Sequence, residues 1–283
     1  MTNIITTNST PTMRKIDLGD DRKQVWHGSC LDILDHIERS TVSLVFTSPP
    51  YPGVEQPEDE YATFPNVDDF GECHDFLEDV WTVCYRLLED LGRMVVNIYD
   101  IPTGAEGMVP NVCEVTNRCL KVGFVLRETY IWQKGASYSP PSGSWPYPKG
   151  ILSGNTYEPC LVFQKPLQFS QRRKDPSDYP QHIRDASELG SREHGWLMEP
   201  VWDIPADRTG RKYGHPFTFP EELARRFIRL YSYAGDTIFD PFLGSGTTVG
   251  VASSMGRIGA GTELSQKYID IIEKRFSQQT LFG

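Results

Sequence analysis

Two short stretches carry residue types that could do chemistry. In Thr47-Ser48-Pro49-Pro50-Tyr51 a hydroxyl, two prolines and an aromatic ring follow directly on an apolar run. Neither proline can donate a backbone hydrogen bond, so a polar group and a stacking surface are set on a rigid turn. In Asp236-Thr237-Ile238-Phe239-Asp240-Pro241-Phe242-Leu243-Gly244-Ser245-Gly246-Thr247-Thr248 a second apolar run enters a glycine-rich turn that permits close approach of a ligand to the backbone. The following run, Arg257 to Thr262, ends in Glu263, seventeen residues after Gly246. A carboxylate there can accept two hydrogen bonds from a ribose diol, which makes a nucleoside-containing cofactor the natural ligand and a purely structural turn the competing reading. Gly244, Gly246 and Gly250 give G-x-G-x-x-x-G, which counts against a dinucleotide with its pyrophosphate on the helix.

These turns need strands to hold them. Thr41 to Phe46 is apolar and ends at Pro49-Pro50, as a buried strand running into a turn does. Phe70 to Leu91 has a helical stripe, Phe76, Leu77, Val80, Trp81, Cys84, Leu87 and Leu88, that is expected to stop at Gly92. A strand over Arg93–Tyr99, a helix over Asn111–Lys121, strands over Phe124–Trp132 and Pro159–Phe163 and a helix over Pro220–Tyr231 continue the alternation, which predicts an α/β sheet. Lys134 to Gly154 reads as a long aromatic-laced loop, and from Lys165 to Arg211 no period emerges.

At 283 residues, 39% apolar and 23% charged, the chain is sized for one large domain with an appended subdomain. No apolar run is long enough to span a bilayer and no signal-like N-terminus is present, so a cytoplasmic protein without membrane contact is expected. The six cysteines have no C-x-x-C pair and no histidine at zinc-ligand spacing, so reduced thiols and no metal are expected. The net charge of −10 argues against a protein that coats a polyanion, but the acid excess is local. Residues 1–164 carry 12 basic and 23 acidic residues, whereas 165–213 carry 9 and 8. Twelve carboxylates fall between Glu55 and Asp90, a solvated face that can point away from a nucleic acid.

Ser-Pro-Pro-Tyr and Asp-Pro-Phe-x-Gly-Ser-Gly-Thr-Thr together resemble the catalytic and cofactor motifs of the amino-directed DNA methyltransferases that use S-adenosylmethionine. With the catalytic motif first, the order is that of the permuted beta class found in bacterial restriction-modification systems. Trp26 to Leu34, Val201 to Pro205, His215 to Leu223, and Gly261-Thr262-Glu263 with Tyr268 and Arg275 agree with it, so the resemblance covers Val25 to Arg275. It implies a Rossmann-like, mostly parallel seven-stranded sheet with an inserted target-recognition subdomain. The expected organisation is a loose tail over 1–24, a catalytic half over 25–133, a recognition region over 134–213 that includes a strand near 159–163, and a cofactor half over 214–283.

The resemblance assigns Ser48, Pro49, Pro50 and Tyr51 to the catalytic pocket. It assigns S-adenosylmethionine to Thr47, His215, Asp240, Pro241, Phe242, Gly244, Ser245, Gly246, Thr247 and Glu263. Where the family often has Gly-Asp this chain has Gly28-Ser29, and either Asp32 or Ser29 takes the place of that acid. Tyr138, Trp145 and Tyr147 on the long loop, with Arg172, Arg173 and Lys174, are candidates for contact with double-stranded DNA. An exocyclic amine is a poor nucleophile, so catalysis is positioning: Ser48 and the Pro49 carbonyl accept the amino protons of a base flipped out of the duplex while Tyr51 stacks on it. In the family, Ser before Pro-Pro-Tyr is associated with cytosine-N4 enzymes and Asp or Asn with adenine enzymes, so N4-methylcytosine is the expected product and N6-methyladenine the alternative. A nicotinamide-dependent oxidoreductase and a non-catalytic DNA-binding module are more distant readings. Pro159-Cys160 mimics the nucleophile of cytosine-C5 enzymes but opens an apolar strand, where a cysteine is ordinarily core. Pairing with a restriction endonuclease is consistent with the family, and the sequence leaves monomer and dimer open.

Overall fold

In the computed structural model, which describes residues 12–52, 69–102, 107–135, 142–144, 147–152, 154–167, 175–206 and 219–280, the apolar runs meet in one sheet. In chain order the strands are β1 Arg14–Ile16, β2 Lys23–His27, β3 Val42–Thr47, β4 Leu88–Asn97, β5 Ile101–Pro102, β6 Met108–Val109, β7 Val125–Gln133, β8 Ser142–Gly143, β9 Ile151–Leu152, β10 Tyr157–Gln164, β11 Val201–Asp203, β12 Thr237–Asp240 and β13 Ile258–Glu263. The helices are α1 Phe70–Leu87, α2 Asn111–Val122, α3 Gln181–Ser187, α4 Ser191–Leu197, α5 Glu221–Tyr231, α6 Thr247–Ser254 and α7 Gln266–Thr280.

The main sheet has the order β1-β2-β13-β12-β3-β4-β10-β7-β11. From β2 to β4 every neighbour is parallel, whereas β10 runs antiparallel to both β4 and β7. Seven strands, the number the resemblance implies, form its continuous middle, and β1 and β11 add a short strand at each edge. The whole of β3 is buried, because a central parallel strand is covered on both faces. Its side chains alternate: Val45 packs with Leu77, Val80, Trp81 and Cys84 of α1, whereas Leu44 and Phe46 pack with Leu223, Phe227 and Ile228 of α5. β12 divides likewise, Phe239 to the first cluster and Ile238 to the second, so the sheet is Rossmann-like with helices on both faces.

Three expectations are corrected. The stretch 1–24 is not loose throughout: β1 pairs antiparallel with β2 because Ile16 buries its side chain with Val25, Leu243 and Ile269. α1 ends at Leu87, and Gly92 marks an irregularity inside β4, where Leu91 has a positive φ and the pairing register with β3 shifts. The stretch from Lys165 to Arg211 contains α3, α4 and β11, and Leu197, Trp202 and Ile204 belong to the same core cluster as Phe227. Arg226 of α5 stacks on Trp196 and Trp202, at 4.3 and 5.3 Å from the ring centroids, so this part of the insertion is bound into the main domain.

The cofactor-half elements pack at backbone contact. A Cβ on Gly259 of β13 would lie 2.6 Å from Val249 Cα and 2.7 Å from Val249 O in α6. Gly259→Ala is therefore expected to destabilise the protein by about 1–3 kcal/mol, read as a lower denaturation midpoint. An unchanged midpoint would mean that α6 can move off the sheet at no cost.

Candidate active site

β3 and β12 lie side by side and parallel, so both sequence motifs leave the sheet at its carboxyl edge. Open α/β sheets bind ligands at that edge. The two turns are tied by a buried hydrogen bond from Thr47 Oγ1 to Asp240 Oδ1 at 2.8 Å. Thr248 Oγ1 donates to Asp240 Oδ2 at 2.7 Å, and the Phe242 N–H donates to Oδ1 at 3.0 Å. Burial pushes the Asp240 carboxyl up to about 6 despite these three donors. Removing one of them should be felt: Thr47→Val is expected to lower stability by about 1–3 kcal/mol in chemical denaturation. Parent-like stability would show that the other two donors suffice.

Beside this junction is a cleft lined by Gly28, Ser29, Cys30, Pro50, Phe76, Pro241, Phe242, Thr262, Glu263 and Leu264. Glu263 is buried in its wall. The Gly244 and Ser265 N–H groups each donate to one of its oxygens at 2.8 Å. A carboxylate has about four acceptor positions, so these donors do not exhaust it and it can still accept from a ligand. Burial dominates these donors and pushes the carboxyl up to about 7.

The sequence-derived cofactor set separates into wall and support. Pro241, Phe242 and Glu263 form the cavity wall. Thr47, Asp240, Gly244, Ser245, Gly246 and Thr247 stand behind it and shape the turn. Gly244 donates to Glu263, and Arg275 Nη1 reaches the Ser245 carbonyl at 3.0 Å and Thr247 Oγ1 at 3.4 Å. Gly246, at φ +84°, packs tightly against α7: a Cβ there would lie 3.2 and 3.3 Å from Ile272 and Phe276 side-chain atoms, on a backbone that other residues rarely adopt. Asp32 is exposed on a 3-10 turn and off the wall, whereas Ser29 lines the cavity and caps that turn by accepting from the Leu31 N–H. His215, Tyr138, Trp145, Arg172, Arg173 and Lys174 lie outside the described residues. Tyr147 is 75% exposed on a tight turn held by Ser144, whose Oγ donates to the Tyr147 carbonyl at 2.8 Å.

At the other end of the junction, Pro49 and Pro50 are buried while Ser48 and Tyr51 are half-buried. Ser48 Oγ and the Tyr51 hydroxyl are 3.1 Å apart, and both reach the Asn97 carbonyl, at 3.2 and 3.1 Å. Behind them is a polar group that the sequence reading missed. Asn97 Nδ2 donates to Glu158 Oε2 at 2.5 Å and to the Tyr51 hydroxyl at 3.0 Å, and Tyr51 also donates to Glu158 Oε2 at 3.2 Å. Lys134 Nζ pairs with Glu158 Oε1 and lies 5.0 and 5.5 Å from the Trp132 and Tyr99 ring centroids. Cys160 is core, as expected, and its Sγ donates to Asn97 Oδ1 at 3.2 Å. Burial raises the Tyr51 hydroxyl well above its ordinary value, with the Glu158 charge adding to the effect.

A family model described as DNA methylase matches residues 42–274. The type II methyltransferase M.MjaI of Methanocaldococcus jannaschii is 32% identical over 302 aligned positions, covering 93% of this chain and 91% of that protein. Among solved structures, TTHA0409 of Thermus thermophilus is similar at 30% identity and a TM-score of 0.70, covering 90% of this chain and 93% of that one. The same protein complexed with S-adenosyl-L-methionine gives 29% identity and a TM-score of 0.69, over 89% and 92%. The PvuII DNA methyltransferase (cytosine-N4-specific), at 21% identity, shares the fold with a TM-score of 0.65 over 90% of each chain.

Proposed function

From the premise that this chain belongs to the DNA methylase family of N6 and N4 methyltransferases, we propose that it transfers a methyl group from S-adenosylmethionine to the exocyclic N4 of a flipped-out cytosine in double-stranded DNA. The observation that carries this reading is the Thr47–Asp240 hydrogen bond, which sets the Ser-Pro-Pro-Tyr turn against the cleft that holds Glu263, so that Pro50 is part of its wall.

The residues present fit the cofactor. Phe242 and Phe76 offer apolar surface for an adenine ring, and Glu263 keeps acceptor positions for a ribose diol. When bound, the cofactor supplies an electrophilic methyl group. The chain's own part is positioning. Ser48 Oγ and the Pro49 carbonyl accept the two amino protons and turn the nitrogen lone pair toward the cavity, so charge developing on nitrogen meets fixed acceptors. The Tyr51 ring, anchored through its hydroxyl, is the surface on which the extruded base stacks. No covalent enzyme intermediate is required. Ser48, as the residue ahead of Pro-Pro-Tyr, supports cytosine over adenine. The region 134–213, with Tyr147 exposed on its turn, is the proposed surface for reading the target site.

The test is chromatographically resolved mass spectrometry of nucleosides from a methylation-free bacterial host, with and without expression of this chain. New N4-methylcytosine is expected. N6-methyladenine would keep the mechanism and overturn the base, and unmodified DNA would refute the function.

A further inference from the structure

We propose that Glu158 takes up the proton released by the methylated amino nitrogen, passed to it through the hydroxyls of Ser48 and Tyr51. The inference rests on the reading of Ser48 as the residue against the amino group.

Glu158 and Lys134 are both buried, at 6% and 7% exposure. A buried ion pair is a costly way to fill a core, since apolar side chains of the same volume serve stability as well or better. This pair lies where β7 and β10 pair, with Glu158 opposite Trp132 and directly behind the Ser-Pro-Pro-Tyr turn. Its two oxygens have different partners. Oε1 meets Lys134, and Oε2 meets the Tyr51 hydroxyl and Asn97 Nδ2. From half-exposed Ser48 a line of oxygens runs inward, Ser48 Oγ to the Tyr51 hydroxyl at 3.1 Å and on to Glu158 Oε2 at 3.2 Å. Each hydroxyl is donor and acceptor at once, which is what passing a proton requires. The Cys160 Sγ–Asn97 Oδ1 contact fixes the amide so that its nitrogen faces the carboxylate, and Asn97 thereby orients the line without carrying the proton.

The step balances as follows. The amino nitrogen forms its bond to the methyl carbon as that carbon's bond to sulfur breaks, with the electron pair remaining on sulfur. The nitrogen, now positively charged, gives a proton to Ser48 Oγ, the Ser48 proton moves to Tyr51 and the Tyr51 proton moves to Glu158 Oε2. Both hydroxyls are restored and Glu158 is left neutral. The ammonium of Lys134 then faces an uncharged partner, which drives the proton on to solvent once the product departs. Among the described residues, Tyr51, Cys160 and Lys134 are titratable groups facing this carboxylate, and Tyr99 packs against Tyr51 and Lys134.

The test compares Tyr51→Phe, Glu158→Gln and their combination in three measurements: single-turnover methylation across pH, thermal unfolding, and cofactor affinity without DNA. Each single variant is expected to slow methylation on the order of 100-fold and to leave cofactor affinity unchanged. The combination should be no slower than the slower single, since a line of transfers is broken only once. Glu158→Gln should change the pH dependence of the rate relative to wild type, which a purely structural role for the carboxylate would not. Additive losses, a full rate in Tyr51→Phe, or a loss of cofactor affinity parallel to the loss of rate would overturn the relay. Should Glu158→Gln unfold because Lys134 is stranded, Lys134→Met with Glu158→Gln removes both buried charges and is expected to show the same slow rate in a folded protein. Wild-type protein that transfers no methyl group would refute the proposed function; wild-type activity with insensitive variants refutes the relay alone.

Discussion

Glu263→Gln is expected to weaken S-adenosylmethionine binding by about 100-fold or more, because hydrogen bonds to a charged group contribute about 1.5–3 kcal/mol each and the ribose diol makes two of them. The amide also turns an N–H group toward a backbone donor, Gly244 or Ser265, where the carboxylate accepted. Titration calorimetry with cofactor alone reads the loss, and parent-like affinity would remove Glu263 from the cofactor site. A pH dependence accompanies it. Burial raises the folded-state value of Glu263 from 4.5 to about 7, so its contribution to stability is present below 4.5 and is lost as pH rises through about 7. The full loss amounts to about 3 kcal/mol. Two ribose donors favour the ionised form, so cofactor affinity should rise with pH through that same range and thermal stabilisation by the cofactor should be larger at pH 8 than at pH 6. In Glu263→Gln both trends should flatten.

Ser48→Ala is expected to lower the single-turnover rate about 10- to 150-fold, the equivalent of one hydrogen bond of about 1.5–3 kcal/mol to a group that becomes charged in the transition state. Cofactor affinity should change little, since Pro50, not Ser48, lines the cavity. The separation of the two effects is the informative result. Equal rates would remove Ser48 from the chemistry, and parallel loss of affinity would mean that the turn had collapsed. Ser48→Asp distinguishes the base: a variant that gains adenine methylation would support the reading of this position as the selector.

The elements that build the site were legible because each is long and periodic. Val42 to Thr47 and Thr237 to Asp240 are apolar runs ended by proline, and α1 carries a full stripe of core residues. The turn motifs were readable for the same reason, since their chemistry lies in adjacent residues. What escaped depends on pairing between distant segments. Glu158 and Lys134 stand at the margins of two apolar strands, and only the register that sets Glu158 opposite Trp132 shows that they share a buried space with Tyr51. A charged residue beside a wholly apolar run was the available signal. α3 and α4, seven residues each, are too short to show a period, and β1 buries little beyond Ile16. That Gly246 also packs against α7 was not visible in the sequence, because the residues that meet it, Ile272 and Phe276, lie far along the chain.

The strand order has a consequence for how the protein is made. β12 and β13 occupy the gap between β2 and β3, yet they follow every other strand of that sheet in sequence. On the ribosome the β1–β2 hairpin and the β3-β4-β10-β7-β11 sheet therefore emerge as two separate pieces, each with an open edge on what becomes the centre of the molecule. Unpaired parallel edges invite association with other chains until residues 237–263 arrive to join them. A translation product truncated before Thr237 should thus aggregate or be held by chaperones, and the nascent chain acquires its cofactor cleft only once residues 237–263 have emerged.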